Sequence, residues 1–286
     1  MNASDAHFRA PPNAGAPANM LEDTQSRADD RHLAIQRVGI KALRYPVRVA
    51  GSNQQAPQAT IATFAMYVGL AENVKGTHMS RFAQMLAELC EPLTPSRFVA
   101  MGQAMQQRLD AESGYLEMRF PYFRTKAAPV SGAQSLLDSD VAFVVETRTG
   151  VSPKLTIEVV APVTSLCPCS KKISEYGAHN QRSHITIRAE VDEHASIESL
   201  IDIAEAQASA QLYAVLKRPD EKYVTERAYD NPKFVEDLVR DIALACASHP
   251  LIGKFTVASE NFESIHNHSA YAELSGTGKL ASSKSD

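Results

Sequence analysis

The sequence predicts an α+β fold of two tandem modules, each in the order β-β-α-α-β-β, with antiparallel sheets carrying helices on one face. Three observations predict it. Strand-like runs come in pairs and alternate with period two, as in Leu116-Glu-Met-Arg-Phe. Two runs with helical spacing separate successive pairs. The same order then recurs in the second half of the chain.

The first module opens with strand runs over Val38–Val49 and Gln58–Leu70. A helix is expected over Met79–Cys90, because Met79, Phe82, Ala83, Leu86, Leu89 and Cys90 share one face. Another is expected over Pro95–Leu109, where Pro95 suits a first helical turn. Strand runs over Tyr115–Thr125 and Asp140–Thr149 close the module. The second module starts with Lys154–Pro162 and His184–Val191. In the latter, Ile185, Ile187, Ala189 and Val191 face one way and His184, Thr186, Arg188 and Glu190 the other. One long helix is expected over Ser196–Lys217, with Ile197, Leu200, Ile201, Ala204, Ala208, Leu212 and Val215 at helical spacing. A further helix covers Pro232–Ser248, and strand runs over Gly253–Asn261 and Ser269–Leu274 complete the order. The modules thus span 33–150 and 151–275, the second carrying most of the chemistry. Residues 1–32, rich in Ala, Asn, Pro, Asp and Ser without apolar periodicity, read as a disordered arm. Residues 276–286 read as a flexible tail.

Composition narrows the function. The 286 residues are 44% hydrophobic and 22% charged, which suits a folded globular chain. With a formal charge of −4 and no long basic block, nucleic acid is excluded as a primary partner. No apolar run approaches a membrane span, and the polar first residues lack the apolar core of an export signal. A cytoplasmic protein is expected, in a compartment that keeps thiols reduced.

Two of the four cysteines fall in Cys167-Pro168-Cys169, and His179 follows within the polar stretch 176–183. Core packing does not call for sulfur there, so metal ligation, nucleophilic chemistry or both are implied. A disulfide would close a very tight ring across a proline. The economical reading gives one sulfur to a metal and leaves the other for substrate. Cys90 and Cys246 sit on apolar helical faces and read as core filler. His179 precedes a strand, and a neutral imidazole there suits zinc, iron or manganese. A third ligand must come from elsewhere. Glu221 is one candidate, in a loop after the long helix, where spacing alone favours a solvated acid. Glu236, early in the next helix, could accept two parallel N–H bonds from a planar base. Its alternative is an exposed i,i+4 pair with Arg240. His266 and His268 would share a face if the strand continued there, as acid–base groups or substrate contacts; otherwise they belong to a polar turn. Lys75, His78 and Arg81 precede a helix and make an anion site, or are solvated cations beside a Thr77 cap.

Four segments together resemble GTP cyclohydrolase I of type IB. They are Lys75–Phe82 (KGTHMSRF), Ser165–Ser183 (SLCPCSKKISEYGAHNQRS), Asn231–Arg240 (NPKFVEDLVR) and Glu263–His268 (ESIHNH). The resemblance covers most of the chain between residues 35 and 274. It implies the tunnelling fold (T-fold) with two modules per chain, and a homotetramer with active sites between subunits. It implies conversion of GTP and water into 7,8-dihydroneopterin triphosphate and formate, opening tetrahydrofolate and pterin biosynthesis. It further implies one divalent metal (zinc, manganese or ferrous iron) on Cys167, His179 and Glu221. Cys169 would contact the reacting purine carbon, Glu236 would anchor guanine, and His266 and His268 would lie near the reacting ribose and ring. Lys75, His78 and Arg81 are the candidates for the triphosphate. Two other classes compete. A nitrile reductase of the same fold uses a cysteine thioimide and NADPH, and would leave His179 and Glu221 without a shared purpose. A non-catalytic nucleotide or pterin binder would use the metal structurally. A papain-like Cys/His/Asn nucleophile has no further support.

Overall fold

Alternating burial along the strands separates a packed face from an open one. The computed structural model describes residues 25, 27–51 and 56–282. The first half runs β1 (Ile35–Val49), β2 (Gln58–Leu70), α1 (Met79–Ala87), α2 (Pro95–Arg108), β3 (Ser113–Ala127) and β4 (Gln134–Arg148). The second runs β5 (Val151–Leu166), α3 (Pro168–Ile173), β6 (Asn180–Val191), α4 (Ile197–Gln207), β7 (Ala210–Gln211), α5 (Arg218–Asp230), α6 (Val235–Ser248), β8 (Ile252–Asn261), β9 (Ala270–Thr277) and α7 (Lys279–Ser282). All strands join one nine-stranded antiparallel sheet in the order β1-β2-β3-β4-β5-β6-β8-β9, with β7 pairing β5. The halves meet at the β4–β5 hairpin, where Gly150 takes a φ of 75°, a conformation open to a residue without Cβ.

Leu116, Met118 and Phe120 of β3, Phe143 of β4 and Ile157 of β5 are buried on the helix-bearing face. They join one core with Phe82 and Leu86 of α1, Phe98 and Met105 of α2, Leu200 of α4 and Leu238 and Ile242 of α6. Each large side chain so buried contributes about 1.5–3 kcal/mol. The other face is charged. Tyr115 donates to Glu117, Arg119 bridges Glu117 and Glu158, and Arg188 reaches Glu158 at 2.8 Å. Burial and the bond to Glu117 push the Tyr115 hydroxyl up to about 12.

Several elements differ from the sequence expectation. α1 ends at Ala87, and Cys90 beyond it is exposed rather than core; Cys246 is buried, and burial pushes its thiol up to about 12. The helix expected over Ser196–Lys217 ends at Gln207, because Ala208–Gln211 turns extended and pairs with β5. Tertiary bonds hold that break: the Ser209 hydroxyl accepts the Leu166 N–H at 3.2 Å, and the Ala208 carbonyl accepts Asn231 Nδ2 at 2.9 Å. α5 stands where a loop is expected, with Pro219 in its first turn and the Asp220 carboxylate accepting the Lys217 N–H. The polar segment after Cys167 contains a short helix, α3. α6 starts at Val235 rather than Pro232. The tail expected to be flexible from 276 continues β9 to Thr277 and forms α7; residues 283–286 lie outside the described residues. The expected disordered arm, 1–32, lies outside them over 1–24 and at 26. Its last residues pack on the β2–α1 connection. Asp29 N–H donates to the Asn73 carbonyl at 3.1 Å, and the buried Asp29 carboxylate pairs with Arg31 and Lys75.

Candidate metal and substrate site

The ladder between β5 and β6 sets the first two site residues opposite each other. Leu166 pairs with Asn180, and one step further the Cys167 N–H donates to the His179 carbonyl at 3.1 Å. Pro168 ends β5 and starts α3, which leaves Cys167 as the N-cap, its Sγ accepting the Ser170 N–H at 3.5 Å. The Ser170 hydroxyl donates to the Cys167 carbonyl at 3.1 Å and accepts the His179 N–H at 3.2 Å. One serine thus staples both segments. Cys167 is half-buried, whereas Cys169 is exposed on α3. The proline therefore sends the two sulfurs into different surroundings.

Behind His179 runs a buried relay that the sequence reading missed. Nδ1 lies 3.0 Å from Gln181 Oε1, Gln181 Nε2 donates to the Ser165 hydroxyl at 2.9 Å, and the Ser165 and Ser183 hydroxyls are 2.7 Å apart. An amide oxygen can only accept, so this bond assigns the proton to Nδ1 and leaves the lone pair on Nε2. Glu263 Oε2 lies 3.8 Å from Nδ1, and the Phe262 N–H donates to the Arg182 carbonyl at 3.0 Å. The loop between β8 and β9 therefore closes beside His179. His266 and His268 sit in that loop, exposed, with rings stacked at 5.0 Å and 12°. β8 stops at Asn261, so of the two readings the structure has them in a turn and not on a strand face.

The Leu166 peptide is a junction. Its N–H goes to Ser209, and its carbonyl accepts the Lys233 N–H at 3.1 Å. That second bond anchors the approach to α6, whose exposed first turn carries Glu236. Arg240 pairs with Asp237 at 3.7 Å, not with Glu236. Leu166, Ala210 and Ala228 form a small core against which Ala178 and Val224 pack. Leu166 precedes Cys167 and Ala178 precedes His179. Glu221 lies three residues before Val224 and seven before Ala228, on the same side of α5. The small core thus packs the Val224 and Ala228 side of α5 against the residues next to Cys167 and His179. Glu221 is exposed, and it belongs to the first turn of a helix rather than to a loop. Among the described residues, no three His, Cys, Asp or Glu side chains stand close enough to hold a metal ion. The structure brings Cys167 and His179 together and does not draw in Glu221.

Next to it, Asp220 is fully buried. Burial favours its neutral form, but hydrogen bonds from Ser131, Lys217 and Val130 outweigh this and hold its carboxyl well below the usual range. The only sequence signal for it is its capping position three residues after Lys217.

The cations of the first half have other partners. Lys75 Nζ lies 3.3 Å from Asp29, and Arg81 Nη1 donates to the Arg108 carbonyl at 3.3 Å. His78, not Thr77, is the N-cap of α1, and its side chain makes no capping bond. Lys75 and Arg81 therefore bond within the first half, not at the end of β5.

A sheet of this antiparallel kind, with helices on one face, is a tunnelling fold; α3, β7 and α5 interrupt the β-β-α-α-β-β order expected of the second half. A model of the family described as Type I GTP cyclohydrolase folE2 matches residues 21–272, and the chain belongs to that family. It is 60% identical over 262 residues to GTP cyclohydrolase FolE2 1 of Dechloromonas aromatica, covering 91% of this chain and 98% of that one. It is 58% identical over 252 residues to GTP cyclohydrolase FolE2 of Thiobacillus denitrificans, covering 88% and 93%. Among solved structures, a highly active BTUO mutant aligns with a TM-score of 0.50 at 9% identity, over 85% of this chain and 100% of that one. At that identity the likeness concerns the fold alone.

Proposed function

We propose that this chain is a GTP cyclohydrolase I, hydrolysing GTP to 7,8-dihydroneopterin triphosphate and formate at the start of tetrahydrofolate and pterin biosynthesis. The observation that carries the reading is the pairing of Cys167 with a relay-oriented His179 at the end of β5, in a chain 60% identical to a protein named GTP cyclohydrolase.

Cys167, His179 and Glu221 would hold one divalent cation. Thiolate, imidazole and carboxylate form a set of borderline softness that fits zinc, manganese or ferrous iron. The half-buried thiol and the lone pair left on Nε2 support this assignment. Bound there, the cation would supply Lewis acidity, lowering the pKa of water toward neutrality. The residues around it handle the base. Glu236 accepts two N–H bonds from the guanine edge and orients the purine. Cys169 serves proton transfer at the carbon between the imidazole-ring nitrogens. Hydration there opens the ring to a formamide, and a second hydrolysis releases formate. His266 and His268 supply acid–base groups as the ribose opens, rearranges and condenses to the pterin.

We read 33–150 and 151–275 as two modules of one subunit in a homotetramer. Sites between subunits would let Lys75, His78 and Arg81 reach the triphosphate across an interface. Lys75 then exchanges Asp29 for phosphate, and Asp29 keeps its pair with Arg31. Among the described residues, no helix is long and apolar enough to cross a membrane. The four free thiols suit the cytoplasm.

The test is incubation of chelator-washed protein with GTP, with and without manganese or zinc. Formate release and the fluorescence of the oxidised pterin are scored. Turnover is expected only with metal. Undiminished activity after chelation would overturn the metal assignment, and absence of formate under every condition would overturn the reaction.

A further inference from the structure

The buried Asp220 carboxylate makes more bonds than a helix cap needs. Oδ1 accepts the backbone N–H groups of Val130 and Ser131, each at 2.8 Å. Oδ2 accepts the Ser131 hydroxyl at 2.6 Å and the Lys217 N–H at 2.8 Å. Only the Lys217 bond caps α5. The other three reach across to the turn between β3 and β4, in the first half of the chain. That turn is a closed unit, with Ala128 N–H bonded to the Ala133 carbonyl at 2.9 Å and Gly132 N–H to the Ala128 carbonyl at 3.0 Å. It offers a fixed anchor rather than a loose loop.

We propose that Asp220 is a positioning residue that clamps the first turn of α5 to the β3–β4 turn and so fixes the helix start from which the adjacent Glu221 closes on Cys167 and His179 when a cation binds. The inference rests on reading Glu221 as a metal ligand. Two observations carry it. Further along α5 the docking contacts are Val224 and Ala228, which leaves the first turn to Asp220. Glu221 is exposed, and its backbone N–H is committed to the Lys217 carbonyl at 2.9 Å, so the helix start sets where its carboxylate can reach. The cation site of the second half is then held in place by a turn of the first.

The test measures Mn2+ affinity by chelator competition, Mn2+ stoichiometry, thermal midpoint and turnover. The proteins are the unsubstituted chain, Asp220→Asn, Ser131→Ala and Glu221→Gln. Asp220→Asn keeps the shape but loses the second acceptor oxygen. It is expected to bind Mn2+ about 10–100-fold more weakly, the range for lost support of a metal ligand, with full stoichiometry and recovered kcat at saturating Mn2+. Ser131→Ala removes one donor from the far side and is expected to weaken affinity by a smaller factor. A folded Asp220→Asn protein with a lower thermal midpoint but unchanged Mn2+ affinity would overturn the proposal and leave Asp220 a purely structural residue. If Asp220→Asn does not fold, Ser131→Ala decides, and unchanged affinity there overturns it. Glu221→Gln separates the two readings. Unchanged affinity in that variant removes Glu221 as a ligand and both readings fall; loss there with unchanged affinity in the other two sinks the positioning role alone.

Discussion

Gln181 decides what His179 can offer. Its amide oxygen fixes the proton on Nδ1, and Ser165 and Ser183 fix the amide. Gln181→Leu should therefore leave the fold intact, weaken Mn2+ or Zn2+ binding by about 10–100-fold, and be visible in a chelator competition titration. The two thiols should separate cleanly. Cys169→Ala is expected to fold, retain metal and lose about 10²–10⁴-fold in kcat, the span typical of a lost proton-transfer group. Cys167→Ala is expected to lose the metal itself. A Cys169→Ala protein with full turnover would sink the role given to that thiol. Asp29 makes a prediction in pH. Hydrogen bonds from Arg31 hold its carboxyl well below the usual range. A depressed folded pKa stabilises above the unfolded value of about 3.9 and is lost as pH falls through the folded one. The difference in thermal midpoint between the unsubstituted chain and Asp29→Asn should be constant near neutrality and shrink below roughly pH 4. A difference that grows on acidification would reverse the sign and the assignment.

At the scale of elements, β2 and α4 show what periodicity reads and what it does not. β2 is bounded where the alternation of its sequence predicts, because one face must be buried and the other not. The run from Ile197 to Val215 keeps helical spacing, yet the helix stops at Gln207. The cause is a strand partner and a serine–peptide bond to Leu166, contacts remote in sequence that no local pattern encodes. The same division holds in the site. Cys167 and His179 are legible because two thiols and an imidazole are chemically odd in a polar segment. Gln181, Ser165 and Asp220 are ordinary residues until the fold supplies their partners. α5 itself docks through Ala228, which is 2% exposed against Leu166 and Ala210. Ala228→Leu should overpack that contact, costing about 1–3 kcal/mol in chemical denaturation, and should weaken metal binding by shifting Glu221.

Across the whole molecule, both halves share one sheet with β1 and β9 as its edges. Unpaired edges invite association, and the proposed tetramer would satisfy them. Sedimentation equilibrium should give about four times the 31.1 kDa chain mass, a monomer being the contrary result. Thiol accessibility reports the whole fold at once. In native protein an alkylating reagent should label Cys90 and Cys169 and spare buried Cys246, while added Mn2+ should protect Cys167. The Leu166 junction adds a matter of timing. Its hydrogen-bond partners, Ser209 and Lys233, and the loop carrying Glu263 all leave the ribosome after Cys167 and His179. During synthesis the two sulfurs are therefore bare before the chain that anchors Glu221 and Glu236 has been made. Loading with the proposed cation would then be an event of the finished chain, and the nascent one would be the form most open to oxidants and to stray thiophilic ions.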